Sequence, residues 1–195
     1  MKRASPSIGH TGVGRRGLLA LSLMVLPWIS QYLFAAAVPD YQIKAVYLYN
    51  FSNFISWPDE AFGLSDTPFD YCIVRRGRVE KTLASLIDGE RVQGHPLRLR
   101  LVEADADGLR GCKLLYLTGL DDDQLAEYLR LSDGLPVLTV ADRVGFAQHG
   151  GMVALVRDRR KIRMRINLRQ AVRRGLRLNA RLLQLARIID DGSKK

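Results

Sequence analysis

Between Phe69 and Asp142 short apolar runs alternate with amphipathic segments, and this rhythm restricts the fold more than any other feature of the chain. FDYCIVRR (69–76) predicts a short buried strand, RVEKTLASLIDG (78–89) a helix ended by Gly89, and LRLRLVE (97–103) a half-exposed strand of period two. CKLLYLTG (112–119) predicts the next strand. DDDQLAEYLRLSDG (121–134) predicts a helix with an acidic start and a glycine stop, and PVLTVAD (136–142) a further strand. Helical crossovers return successive strands in one direction, so pairing is parallel and both faces of the sheet need covering. The expected class is α/β: a mainly parallel sheet flanked by helices in a Rossmann-like three-layer arrangement.

The flanking segments complete this frame. PDYQIKAVYLYNFSNFISWP opens the domain as a helix that Asp40 can cap and Pro58 stops. Its residues Ile43, Val46, Tyr47, Phe51, Phe54 and Ile55 recur at three and four, and a face so aromatic is expected in the core. After Asp142, GMVALV (151–156) and KIRMRIN (161–167) flank RDRR as a C-terminal hairpin, and two short helices follow. Asn167 caps the first and Gly175 ends it; Asn179 caps the second, ARLLQLARII, with Leu182, Leu185, Ala186 and Ile189 as its buried stripe. No internal repeat or long linker interrupts the chain, so one domain is expected over residues 38–195.

The N-terminal stretch GVGRRGLLALSLMVLPW (12–28) supports three readings. Gly12, Gly14 and Gly17 spell a dinucleotide fingerprint, but such a turn needs a buried strand before it, and MKRASPSIGHT cannot supply one. The physical context fits a signal peptide over residues 1–37: Lys2, Arg3, Arg15 and Arg16, then the apolar run LLALSLMVLPWI, then Ala35, Ala36 and Ala37 before the cut. That run falls short of the ~20 residues that span a bilayer, with an uncleaved anchor as the alternative. Arg15-Arg16 and the leucines after it are all that fit a twin-arginine route.

Export changes the meaning of charge and cysteine. The formal charge of +10 falls to +6 once the leader's four basic residues are set aside. Residues 157–187 hold twelve Arg and Lys against Asp158 alone, so the mature chain is acidic in front and basic behind. A basic end would normally suggest nucleic acid, which an exported protein rarely meets. Anionic membrane surface, an acidic protein face or a phosphorylated ligand fit better, beside a simply solvated face. Arg165, Arg169, Arg173, Arg177 and Arg181 recur every four residues, but Gly175 and the two caps divide them, so a basic patch split across three elements is expected. In an oxidising compartment Cys72 and Cys112 are expected to form a disulfide, each at or near the start of a strand.

No catalytic constellation accompanies these features. The chain carries no G-x-S-x-G, no H-E-x-x-H and no phosphate loop. His10 lies in the leader, His95 precedes Pro96 in an expected turn, and His149 sits alone in a glycine turn. Asp121, Asp122 and Asp123 oppose a helix macrodipole better than they build a metal site. A binding protein without metal or cofactor is expected, not an enzyme.

Three blocks carry a family resemblance: YQIKAVYLYNFSNFISWP, PVLTVADRVGFAQHGGMVAL and KIRMRINLRQAVRRGLRLNARLLQLA. In order and spacing they resemble the YfiR/HmsC-like family of exported bacterial proteins. The resemblance implies a periplasmic regulator that binds the periplasmic part of an inner-membrane diguanylate cyclase, lowers cyclic di-GMP and restrains biofilm formation. It also implies release through an OmpA-like outer-membrane lipoprotein or a redox change, and formation of a homodimer. Cys72 and Cys112 match a bridge position of the family, while the second bridge of some members has no counterpart, since 147–154 contains no cysteine. Arg165 stands where many relatives place an acid, which tunes contacts around Ile166 to Arg173 toward a more acidic surface. The alternative function is a periplasmic sensor whose basic end holds a small anionic ligand.

Overall fold

A computed structural model describes residues 37–63 and 66–189. Apart from Ala37, the expected leader lies outside the described residues. In chain order the elements begin with α1 (Asp40–Phe54), β1 (Ile55–Ser56), β2 (Phe69–Ile73) and α2 (Arg78–Ile87). They continue with β3 (Arg91–Val92), β4 (His95–Leu101), α3 (Ala106–Leu109), β5 (Cys112–Leu117) and α4 (Asp122–Leu131). The last are β6 (Leu138–Ala141), β7 (Val153–Asp158), β8 (Lys161–Ile166), α5 (Leu168–Arg173), β9 (Arg177–Leu178), α6 (Ala180–Leu185) and β10 (Ala186–Ile188).

Strands β4, β2, β5, β6 and β7 lie side by side in that order and run parallel. The first strand of this series sits between the second and third, the arrangement of a doubly wound sheet. β8 returns antiparallel to β7 as the C-terminal hairpin, and the stubs β3 and β10 close the two margins of the eight strands. The fold is therefore the mostly parallel, three-layer α/β class that the strand and helix rhythm predicts.

Side-chain alternation sorts the sheet into two cores. Tyr71, Leu114, Tyr116, Val140 and Leu155 pack with Leu48 and Phe51 of α1 and Leu83 of α2. Cys72, Leu115, Leu117, Ala154 and Val156 pack on the other face with Leu109 of α3 and with Leu125 and Tyr128 of α4. Burying each such leucine or phenylalanine stabilises by roughly 1.5–3 kcal/mol. Asp121 caps α4 through a reciprocal pair with Gln124, and Asn167 caps α5 by accepting from the Gln170 N–H.

The double glycine has a steric cause. Gly145 and Gly150 adopt φ of +85° and +96°, which fold the loop after β6 back on itself. Gly151 is different: a Cβ there would stand 2.2 Å from Cε1 of Phe146, a ring only 2 % exposed and unable to retreat. Gly151→Ala is expected to destabilise the domain by about 1–3 kcal/mol through overpacking. Gly77→Ala, where the added atom meets nothing within 4 Å, should cost far less. Parallel thermal melts check this, and equal melting of the two variants would remove the steric explanation.

At the amino ends of the strands, β2 and β5 shift register between Asp70 and Tyr71, leaving Lys113 as an extra residue on β5. The shift accompanies a Cα separation of 5.8 Å between Cys72 and Cys112, which are joined as a disulfide. Asp70, 3 % exposed, accepts from Arg98 Nε and Nη2 at 2.6 and 2.8 Å and from Arg100 Nη1 at 3.2 Å. Burial pushes the Lys113 ammonium below the ordinary lysine pKa, and Asp70 partly offsets that.

Several local expectations need correcting. Helix α1 ends at Phe54, before Pro58, because Ile55 and Ser56 pair with β9; Asp40 binds Arg157 at 2.7 Å and makes no side-chain cap. The last helix stops at Leu185, because Ala186 to Ile188 join β8 as an edge strand. Of its expected stripe only Leu182 is buried, and Leu185 is 71 % exposed. His95 begins β4 instead of lying in a turn, stacks on Phe62 at 4.1 Å and holds the Thr67 carbonyl at 2.8 Å through Nδ1.

Candidate partner-binding surface

The basic run of residues 157–187 does not form one patch, because β8 carries it from one end of the sheet to the other. Six residues of strand span about 20 Å. The turn between β7 and β8 lies at the carboxyl end of the parallel strands, while α5 and β9 lie at the amino end.

At the amino end, α5 places Arg169 and Arg173 one turn apart on one face. Ala171 is buried beneath them. Arg174 fastens the helix: Nη1 donates to the Ser132 carbonyl and Nη2 pairs with Asp133 at 2.6 Å, so this arginine is structural. Gly175, at φ +74°, then turns the chain into β9, where Arg177 lies opposite Ser56. Asn179 accepts from the Arg181 N–H and starts α6. A cavity of about 630 Å³ opens between these elements, lined by Leu168, Val172, Leu176 and Arg177 and, on the facing loop, by Asp59 and Glu60. Arg169 and Arg173 follow the lining residues Leu168 and Val172 by one position each. Among the described residues Arg173, Arg177 and Arg181 carry no ion pair.

Arg165 stands apart from that rim. It is half-buried within β8, between Ala154 and Arg187. The structure thus gathers Arg169, Arg173, Arg177 and Arg181 around α5, β9 and α6, and leaves Arg165 on the sheet.

A second surface adjoins α6. The stripe Ile43, Val46, Tyr47 and Phe54, expected in the core, lines an open groove with Leu86 of α2 and Leu185 of α6, also of about 630 Å³. Val46 is 46 % exposed. Periodicity marked the apolar face correctly, but nothing among the described residues covers it fully.

Lys44, inside the first motif block, reaches Asp142, inside the second, at 3.0 Å. The same carboxylate oxygen accepts from Thr118 Oγ1 at 3.2 Å and from Tyr116 Oη at 3.4 Å. Burial and the Asp142 charge push the Tyr116 phenol above the ordinary tyrosine range. This network ties α1 to the carboxyl end of the sheet, so both blocks hold the frame together. No group of three metal-ligating side chains occurs among the described residues.

A family model described as YfiR/HmsC-like matches residues 41–187. The chain belongs to the YfiR/HmsC-like family. No curated protein matches it. Members of the YfiR/HmsC-like family are periplasmic regulators of diguanylate cyclases. The match runs from Tyr41 through Arg187 and so includes the lysine–aspartate tie, the double glycine and the cavity that Arg177 lines.

The sequence offered no sign that Arg174 differs from its neighbours, since its partners lie some forty residues earlier. The open groove had no signal in the sequence either, because Leu185 is expected in the buried stripe of a longer helix and the structure ends α6 there.

Proposed function

We propose that this protein is exported by a cleaved signal peptide over residues 1–37, and that residues 38–195 bind and inhibit an inner-membrane diguanylate cyclase. Lower cyclic di-GMP and weaker biofilm formation follow. The observation that carries this reading is the family match over residues 41–187. The basic rim of α5, β9 and α6 supports it: Arg177 lines the cavity at this end together with Asp59 and Glu60, and Arg169, Arg173 and Arg181 lie on the two short helices beside it. Such a rim fits an acidic periplasmic segment, attracting it by charge and holding it by buried apolar area. Inhibition needs no chemistry: a protein that binds one state of the cyclase more tightly shifts its population toward that state. Homodimer formation and release through an OmpA-like outer-membrane lipoprotein belong to the same proposal.

Deleting the gene is expected to raise cellular cyclic di-GMP and surface attachment. Reintroducing the wild-type gene should restore both, whereas Arg169→Glu/Arg173→Glu, exported at equal level and melting normally, should not. Unchanged cyclic di-GMP on deletion in a strain with active cyclases would overturn the proposal.

One observation favours a small anionic ligand as a second reading. The 630 Å³ cavity falls within the about 300–1,000 Å³ typical of small-molecule sites, and Arg177 lines it. Calorimetry with nucleotides and anionic metabolites separates the two, since inhibition by protein contact alone gives no heat.

A further inference from the structure

The opposite, carboxyl end of the sheet has its own basic surface, and the regulatory reading makes no use of it. The turn from β7 to β8 presents Arg159, Arg160 and Lys161 in succession, all exposed and without an ion pair among the described residues. Arg157 and Arg163 flank them, held by Asp40 at 2.7 Å and Asp158 at 4.0 Å. A cavity of about 580 Å³ joins this turn to the start of α2, with Arg157, Arg78 and Lys44 in its lining. Arg78 has no carboxylate either; its guanidinium carbon lies 5.6 Å from the centre of the Tyr41 ring. Counting the paired residues, six cations here face the two carboxylates Asp40 and Asp158, with Lys44 neutralised by Asp142.

Two apolar residues leave the same end of the sheet. Val38, 59 % exposed, lines the basic cavity, and Val144, 72 % exposed, lies in the loop after β6. Ala37 also lines that cavity, so the chain enters the domain here, eight residues after the apolar run ends at Ile29.

We propose that this end of the domain docks on an anionic phospholipid bilayer, with Arg159, Arg160 and Lys161 among the headgroups and Val38 at the interface. The family's periplasmic location removes nucleic acid as a partner. Arg159, Arg160 and Lys161 line an open depression of about 460 Å³ with Arg163 and Asp158, and a protruding turn with so many long cations to one carboxylate suits the diffuse charge of lipid headgroups better than one shaped protein face. Docking would orient the arginine rim about 20 Å away, beyond the bilayer surface. The inference rests on the periplasmic location and not on contact with a cyclase.

The test uses protein recovered from the periplasm after native export and vesicles that contain no protein. Wild type is expected to sediment with vesicles of one part phosphatidylglycerol to three parts phosphatidylethanolamine, and not with phosphatidylcholine alone. Salt at about 1 M, where the screening length is about 3 Å, should release it. Arg159→Asn/Arg160→Ser/Lys161→Ser keeps a residue suited to the φ of +54° at position 159 and should fold normally. At about fivefold per cation, it should bind roughly 100-fold more weakly. Arg169→Ser/Arg173→Ser, at the other end, should bind like wild type. No sedimentation of wild type, equal binding by the hairpin variant, or loss confined to the Arg169/Arg173 variant would each overturn the proposal. Retention on an immobilised acidic peptide that depends on the hairpin, without lipid binding, would assign the surface to an acidic protein instead. None of these outcomes depends on cyclic di-GMP levels, so the two proposals fail separately.

Discussion

Reduction of the Cys72–Cys112 bond is expected to lower the melting temperature of the exported protein by roughly 8–16 °C. The bond closes a loop across a sequence separation of 40, worth about 4 kcal/mol in unfolded-state entropy by the chain-entropy model. It also joins neighbouring strands at the doubly wound sheet's centre, with both cysteines buried. Cys72→Ser should melt at the lower temperature whether or not reductant is present. Equal sensitivity of wild type and variant to reductant would show that the bond does not form in the native protein. Thermal scans through a first unfolding and again after refolding give reductant access to the buried sulfurs.

Asp70→Ala is expected to cost about 3–5 kcal/mol, because it strips the shared carboxylate from two arginines and from the vicinity of a buried lysine. The loss is larger than a surface ion pair allows, since Asp70 itself is almost wholly enclosed. Arg98→Ala should be milder, about 1–2 kcal/mol, because Arg98 is half exposed and Arg100 stays with the carboxylate. The Lys113 pKa should fall further in Asp70→Ala, since the aspartate is the one charge raising it. Denaturant titration of both variants checks the order. If Asp70→Ala loses no more than Arg98→Ala, the carboxylate is not the centre of the cluster.

The main strands and helices from Phe69 to Asp142 could be anticipated because the strands there are either continuously apolar or alternating and capped helices separate them, whereas their order in the sheet and the stub β3 could not. Asp121, Asn167 and Asn179 mark helix starts by chemistry acting within three residues, which is why sequence reading located them. Interactions across long separations were opaque. Asp70 meets Arg98 and Arg100 only through the parallel register of β2 and β4, a pairing written nowhere near either residue. Ala186 to Ile188 look helical in isolation, and only the unpaired edge of β8 makes them a strand.

The candidate surface was legible in part. The arginines were visible as a series, but a period of four cannot show that β8 intervenes and sends Arg157 to Lys161 to one end and Arg169 to Arg181 to the other. Likewise, the apolar period of α1 says which side avoids water, not whether another element reaches far enough to close it. The groove at Val46 and Leu185 exists because α6 is only six residues long.

The shortness of β3 and β10 has a consequence for crowding. An unpaired strand invites a neighbouring molecule to add its own backbone, and chains so joined go on to fibres. Here β3 doubles one border only at His95 and Pro96 of β4, and β10 covers Met164 to Ile166 of β8 at the other, where the stub carries the charged Arg187. Along the stretch of β4 that β3 leaves uncovered, Arg98 and Arg100 alternate with leucines, and charges on an edge strand oppose the addition of a second copy, so copies can concentrate in a narrow compartment without templating one another.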